Sequence, residues 1–274
     1  MKIDPRNLSD PQLVYGCTTN IIAHTTLTPE FVMEISRRQT GGDPSKTESQ
    51  DRGMNPERLI EFAGRICYES FGTGRSSKDF HAHLAEVGHG SVLEHVSFSF
   101  LISGVSRALT LELVRHRVGV AISQRSTRFV DESSARLVVP PLLWVLESDD
   151  DFHAAFKVQA QQDLLLIYRT SCGIYAKVLD LSAQSLGMRR KPARGVARSV
   201  LSTNTETELV WTCNLRTLLN VARQRANEAA DLEIRLLAVQ LLQSVIALVP
   251  SYFCNCVQIQ VGADGFPFAT VRSF

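Results

Sequence analysis

Apolar and polar positions alternate most clearly in "EHVSFSFLIS", where Val96, Phe98, Phe100 and Ile102 fall opposite His95, Ser97, Ser99 and Leu101. That period of two predicts a half-buried strand. After Gly104 the period lengthens. Val105, Leu109 and Leu113 recur at four-residue steps and predict a helix running into Arg115-His116-Arg117. Further upstream, Pro56 to Cys67 predicts a helix with Pro near its start and Leu59, Ile60, Phe62, Ala63 and Ile66 as its apolar face. Ser77 to Val87 predicts a second.

The stretch from Asp151 to Leu186 carries one long helical pattern, and "DLEIRLLAVQLLQSVIALVP" from Asp231 predicts a strongly apolar helix stopped by Pro250. Between them "TELVWTCN" predicts a short strand. The segment from Gln39 to Arg58 is polar and rich in Gly, Pro and Ser, so it reads as an exposed loop or insertion that splits an N-terminal arm from the body. There is no internal repeat. The expected fold class is α+β with substantial helix, in one domain or one domain with lobes.

Composition narrows the function classes. At 274 residues and 44% hydrophobic, the chain can bury a full core without disulfides. Its 29 Lys plus Arg against 28 Asp plus Glu leave a formal charge of +1, so it has no general electrostatic footprint for nucleic acid or an anionic membrane. Cys17, Cys67, Cys172, Cys213, Cys254 and Cys256 lie scattered without a C-x-x-C pair, and reduced thiols are expected. No apolar run approaches the length of a membrane span, and the N-terminus lacks the apolar core of a signal peptide. The expected location is the cytoplasm.

Against that near-neutral background, positive charge gathers in "LELVRHRVGVAISQRSTRF", which holds Arg115, His116, Arg117, Arg125 and Arg128. On the expected helix Glu112 shares a face with Arg115 and His116. For the tripeptide Arg-His-Arg alone, an ion-paired solvated helix face is the simpler reading. Ser123, Gln124, Ser126 and Thr127 add neutral hydrogen-bonding groups beside guanidinium forks suited to phosphate, a mixture that a phosphorylated heterocycle requires and a bare anion does not.

"GHGSVLEH", Gly88 to His95, offers small residues where a backbone can approach a ligand. His81, His83, His89 and His95 lie near one another in sequence. A metal site is not expected, because His81 and His83 point in different directions on a helix and no carboxylate pattern accompanies them. Further on, Arg216, Asn220 and Arg223 follow at helical steps with Arg225 on a neighbouring face. They read either as surface arginines or, with Asn214 and Asn220 as amides for a ring edge, as a recognition element.

These residues together resemble the flavin-dependent thymidylate synthases. That family's signature is Arg-His-Arg, seven residues, then Ser-x-Arg, and Arg115-His116-Arg117 and Ser126-Thr127-Arg128 match its two ends. "GHGSVLEH" is similar to its G-H-x-[ST]-x-x-E-H segment. "ARSVL" and "NLRTLLNVARQRA" with "AADLEIR" resemble its C-terminal segments in the same order. The resemblance runs from about Ala63 to Val249 and leaves out the N-terminal arm and the loop 39–58.

The resemblance implies a central sheet packed by long helices, and a homotetramer whose active sites are shared between subunits. It implies FAD, a uridine monophosphate, methylene-tetrahydrofolate as carbon donor and NADPH as reductant. NADPH would reduce FAD, the one-carbon unit would pass from folate to the pyrimidine C5, and flavin hydride would complete the methyl group. Carried over by position, Ser91, Arg115, His116, Arg117, Asn214, Arg216 and Asn220 would contact FAD. Glu112, Leu113, Val114 and Arg115 would hold the nucleotide with Gln124, Arg125, Ser126, Thr127, Arg128 and Arg198. Arg225 would stabilise the ionised uracil, raising electron density at C5 without an enzyme nucleophile.

Two departures stand out. Arg117 and Ser126 are separated by the eight residues "VGVAISQR", so one extra residue lies within Val118 to Ile122, where Gly119 permits a bulge. Where the family commonly has His in R-A-x-x-H-A, this chain has Ala229. The first departure motivates the hypothesis that UMP enters beside dUMP, as in the uridylate C5-methylases of nucleoside-antibiotic pathways that belong to the same superfamily. Two other readings compete: a flavin- and nucleotide-binding relative with different chemistry, supported by Ala229, and a nucleic-acid-binding module, against which the near-zero net charge argues.

Overall fold

The computed structural model describes residues 12–40, 55–72, 75–145 and 151–272. Its elements run β1 (Leu13–Val14), β2 (Thr18–His24), α1 (Pro29–Thr40), α2 (Glu57–Cys67), α3 (Ser77–Glu86), a 3-10 turn (Gly90–His95), β3 (Ser97–Ser106), α4 (Arg107–Leu113) and β4 (Val120–Gln124). There follow β5 (Leu137–Val138), α5 (Leu142–Val145), α6 (Asp151–Asp180) continuing as a π-helical turn (Leu181–Ser185), α7 (Arg190–Ala197) and β6 (Glu206–Asn214). The chain ends with α8 (Leu215–Arg225), α9 (Leu232–Val245), α10 (Pro250–Cys256), β7 (Val257–Val261) and β8 (Pro267–Val271). The fold is α+β, with a four-stranded sheet in the order β2-β3-β6-β4, a parallel pair β1-β5 and an antiparallel pair β7-β8.

Side-chain caps set where the helices begin. Ser106 accepts the Leu109 amide at 3.0 Å and starts α4, Ser76 accepts that of Asp79 at 3.2 Å and starts α3, and Asn214 accepts that of Thr217 at 2.8 Å and starts α8. Asp231 caps α9 through the Glu233 amide at 3.1 Å. The strand β3 buries Phe98, Phe100 and Ile102 as its alternation requires, with Val96 buried just before it, and it continues through Gly104 to Ser106.

The helix expected through Arg115-His116-Arg117 ends instead at Leu113, with Val114 as its C-cap. Ser106 starts the helix only at Arg107, so Val105 belongs to the strand. Glu112, Arg115 and His116 therefore do not share a helical face. The helix from Asp231 also ends early, at Val245, and Pro250 opens α10 at a first-turn position where its missing N–H costs nothing. Of the polar segment Gln39 to Arg58, the first two residues complete α1 and Glu57 and Arg58 begin α2, while 41–54 lie outside the described residues.

Two compact units emerge. One comprises residues 1–18, 101–115 and 122–210, with a core of Ala135, Leu137, Tyr168 and Cys172 packed by Leu13 and Leu164. The other comprises 19–100, 116–121 and 211–274. In this second unit Phe100 stacks on Trp211 with ring centroids 5.9 Å apart, and Phe31 meets Phe62 edge-on at 4.6 Å. Of the cysteines, Cys172, Cys213 and Cys256 are buried, Cys17 is half-buried, Cys67 and Cys254 are exposed, and none is bridged. Among the described residues no helix is both long and apolar enough to cross a membrane.

Candidate active site

In the second unit, three sequence motifs separated by up to about a hundred residues converge on the head of α8. The Leu215 amide donates to the Val96 carbonyl at 2.8 Å, which fixes α8 beside the turn holding Ser91. Glu94, from that same turn, pairs with Arg216 on the first turn of α8 at 2.5 Å. Ser91 is exposed beside it.

The segment after Arg117 reaches the same place. Gly119 takes a left-handed conformation with φ of 68°. A Cβ on it would lie 2.5 Å from Thr217 Oγ1 and 2.7 Å from Asn214 Nδ2, so only glycine fits. Thr217 Oγ1 donates to the Val118 carbonyl at 2.9 Å and ties the turn to α8. Gly119 thus forms a left-handed turn directly before β4, within the segment expected to hold the extra residue.

At the other end of α8, Arg225 Nε donates to His116 Nε2 at 3.1 Å. Burial is the main cause that lowers the imidazole pKa, and the Arg225 charge adds to it. The ring is an acceptor at Nε2 and a neutral group. Asn214 is half-buried and spends its Oδ1 on the helix cap, whereas Asn220 is exposed and accepts from Arg223 Nη2 at 3.0 Å. Arg117, Arg216 and Arg223 are exposed.

The first unit holds the nucleotide-side residues of the signature. Gln124, the last residue of β4, donates through Nε2 to Thr110 Oγ1 at 3.1 Å and Thr207 Oγ1 at 3.3 Å, which leaves its carbonyl oxygen as an acceptor. Arg125 turns inward: Nη2 donates to the Glu206 carbonyl at 2.6 Å and reaches the Glu206 carboxylate at 3.4 Å. Its Nε faces Glu132 at 3.7 Å, an ion pair without a hydrogen bond. Arg136 completes the group at 2.6 Å from Glu206. Burial pushes the Glu132 carboxyl pKa up, and the Arg125 and Arg107 charges pull it back.

Leu113 and Thr127 are buried, so their side chains belong to the packing of this unit. Glu112 and Val114 are half-buried, and Arg115, Arg128 and Arg198 are exposed. Arg107 was not expected from the sequence. It is half-buried at the start of α4, its guanidinium makes long hydrogen bonds of 3.4 Å to Thr207 Oγ1 and the Arg125 carbonyl, and it feels the charges of Glu132, Arg125 and Arg198. The dipeptide Ser106-Arg107, a helix cap followed by a cation, could have marked it. Ala229 is exposed just beyond α8. On α3, His81 is buried and His83 half-buried, and among the described residues no three His, Cys, Asp or Glu side chains are grouped to hold a metal.

A family model described as thymidylate synthase complementing protein matches residues 51–251. The flavin-dependent thymidylate synthase of Mycobacterium sp. (strain JLS) is 40% identical over 226 residues, 77% of this chain and 84% of that one. That of Mycolicibacterium gilvum is 37% identical over 248 residues, 89% and 96% of the two chains. Among solved structures, the UMP/dUMP methylase PolB from Streptomyces cacaoi superposes with a TM-score of 0.64 at 20% identity, over 89% of this chain and 95% of that one. Thymidylate synthase X from Helicobacter pylori, with FAD and dUMP, gives 0.51 at 21% identity, over 72% and 92%. At such identities these two establish the fold. The family match and the curated relatives establish more: the chain belongs to the flavin-dependent thymidylate synthase family.

Proposed function

We propose that this enzyme methylates C5 of a uridine 5'-monophosphate, with FAD as resident cofactor, methylene-tetrahydrofolate as carbon donor and NADPH as reductant. One observation carries the reading most directly: the Gly119 turn, packed under Asn214 and Thr217, brings His116 and Arg117 to the helix that bears Arg216, Asn220 and Arg225.

The residues fit the flavin. Exposed guanidinium groups at Arg117 and Arg216 suit a pyrophosphate. The Asn220 carbonyl is engaged by Arg223, which turns its amide donors toward a ligand, and Ser91 adds a hydroxyl beside Arg216. With Arg115, His116 and Asn214, these are the residues that would hold FAD. Bound there, FAD supplies the hydride chemistry that no side chain can supply.

On the substrate side, Arg128, Arg198 and Arg115 would bind the phosphate, with Ser126 and the backbone of Leu113, Val114 and Thr127 around it. Glu112 and the Gln124 carbonyl would accept from sugar or base. Arg225 would favour the uracil anion, because a guanidinium keeps its charge at any working pH. His116 supports that role, since a neutral acceptor at Arg225 Nε orients the fork without competing with it. Arg125 would act behind the site, its guanidinium being committed to Glu206.

A homotetramer with shared active sites is part of the same proposal. The long helix α6 and the turn after it expose Phe156, Leu166, Ile167, Ile174 and Leu181, a row of apolar side chains that water disfavours and a second copy would cover. Acceptance of UMP beside dUMP is supported by the extra residue after Arg117, and PolB, to whose fold this chain is similar, is a UMP/dUMP methylase.

Mass spectrometry tests the proposal. The purified protein is incubated with FAD, NADPH, methylene-tetrahydrofolate, and dUMP and UMP in equal amounts. A gain of one methyl group on either nucleotide is expected. NADPH oxidation with neither nucleotide methylated would instead favour a relative with different chemistry.

A further inference from the structure

Two exposed arginines of the first unit, Arg128 and Arg198, belong to segments about seventy residues apart, yet a single side chain ties those segments together. Arg194, on α7, donates through Nη1 to the Phe129 carbonyl at 2.6 Å and reaches Asp131 Oδ2 through Nη2 at 3.4 Å. Phe129 directly follows Arg128. Arg194 itself lies one helical turn before Arg198, the residue that ends α7.

Several further contacts fix the loop. The Phe129 and Val130 amides both donate to the Ser126 carbonyl, at 3.0 and 2.9 Å, and close a turn over Ser126 to Phe129. Asp131 is held in place by the Ser133 amide at 3.0 Å, and its pKa is lowered first by the Ser133 hydroxyl and then by Arg194. Lys191, one turn before Arg194, puts its ammonium 4.3 Å over the Phe129 ring. A Cβ on Gly195 would come within 3.7 Å of Arg128 Nε, so the Arg128 side chain passes directly across the backbone of α7.

We infer that Arg194 is a positioning residue for the nucleotide phosphate, setting the distance between Arg128 and Arg198. The inference rests on the proposed uridylate reading. The Asp131 carboxylate is 44% exposed, so the ion pair adds little to folding, and its consequence is geometric. Two long side chains on separate segments, one on a loop and one at the end of α7, would each lose conformational freedom on capturing a dianion. A guanidinium that ties the loop to the helix in advance removes part of that cost. Arginine suits the task because its fork reaches a carbonyl and a carboxylate at once, which a lysine ammonium on a flexible stem does not hold as rigidly.

The test is steady-state kinetics of FAD-loaded Arg194→Met, Arg194→Lys and Asp131→Asn. For Arg194→Met, KM for the nucleotide is expected to rise roughly tenfold while kcat stays within about twofold and KM for NADPH does not move, the pattern of lost ground-state binding. Arg194→Lys recovers part of the loss. Asp131→Asn, which keeps an acceptor for Ser133 and drops the charge, shifts the same constant less and covers the case in which the Met variant does not fold. A nucleotide KM unchanged in Arg194→Met or, if that variant does not fold, in Asp131→Asn would overturn the inference, as would a fall in kcat with KM unmoved. If the parent protein turns over no uridylate at all, the functional reading fails first and takes the positioning role with it.

Discussion

Arg225 Nε lies 3.1 Å from His116 Nε2 and donates to it, so a permanently charged group is seated on a ring nitrogen that must stay unprotonated. The imidazole proton is therefore on Nδ1. Burial and the Arg225 charge together hold the His116 pKa below its ordinary 6.5.

A titration by NMR should find the His116 midpoint below 6.5, and Arg225→Gln should move it upward while burial keeps it below the ordinary value. The effect on stability has a definite sign. Between the two pKa values the unfolded chain binds the proton and the folded chain resists it, so the stability linked to His116 is complete above about pH 6.5 and is lost as pH falls through the folded value. A His116 midpoint above 6.5 in the parent would contradict the hydrogen bond.

Gly119→Ala should separate backbone strain from steric conflict. At φ of 68° the new methyl would meet Thr217 Oγ1 at 2.5 Å and Asn214 Nδ2 at 2.7 Å, whereas at Gly265, with φ of 78°, nothing lies within 4 Å. Strain alone costs about 1–2 kcal/mol and is common to both, while overpacking adds about 1–3 kcal/mol at Gly119 only. Denaturant midpoints should fall further for Gly119→Ala, and that variant alone should lose flavin absorbance per protein. Equal losses at the two positions would mean that the turn is not held against α8.

The pair Glu61 and Arg65 on α2 predicts a large effect far from the chemistry. Both side chains are almost wholly buried, at 4% and 6% exposure, with Arg65 Nε 2.7 Å from Glu61 Oε1 and its other nitrogens on the carbonyls of Ser70 and Arg75 at 3.0 Å. Ser77 Oγ donates to Glu61 Oε2 at 2.6 Å. Glu61→Gln preserves the shape but leaves a buried cation without its counter-charge, which costs about 3–5 kcal/mol. Glu34→Gln, which breaks exposed pairs to Arg37 and Arg38, should leave the midpoint unchanged.

What could be read from the sequence follows how sharply each element contrasts its two faces. β3 was legible because buried Phe98, Phe100 and Ile102 alternate with Ser97, Ser99 and a half-buried Leu101, and α2 because Ile60 and Phe62 turn inward, although Ile66, expected on the same face, is exposed. β2 escaped because its inward side is only half-buried, at Thr19 and Ile21, and β4 because it is five residues long with its inward side likewise only half-buried. The helix of the Arg-His-Arg segment was overrun because no Gly or Pro follows Leu113 before Gly119 to mark its end. At the candidate site, motif residues were legible by type and order. Direction was not: Arg125 and Arg128 look alike in the sequence, and only the buried Glu206, eighty residues on, draws the first inward. Arg194 and Arg107 act through partners no local pattern reveals.

The extra residue after Arg117 gives the last prediction. Val118 is 87% exposed and precedes β4, so its deletion leaves the alternation of Val120 to Gln124 intact, whereas a deletion inside β4 would turn every following side chain to the opposite face. The Arg117 carbonyl would take the place of the Val118 carbonyl that Thr217 now holds, drawing the cationic motif toward α8 by about one residue. If the wider segment is what admits the 2'-hydroxyl, closing it should lower the UMP to dUMP ratio of kcat/KM by roughly tenfold. About a hundredfold is the upper bound, since a pocket wall alone discriminates poorly against one added hydroxyl. The variant must retain flavin absorbance for the ratio to be read, and the ratio is taken from competition between both nucleotides in one reaction. A ratio equal to that of the parent would mean that sugar selection resides elsewhere and that the Gly119 turn serves only to join the two cationic motifs.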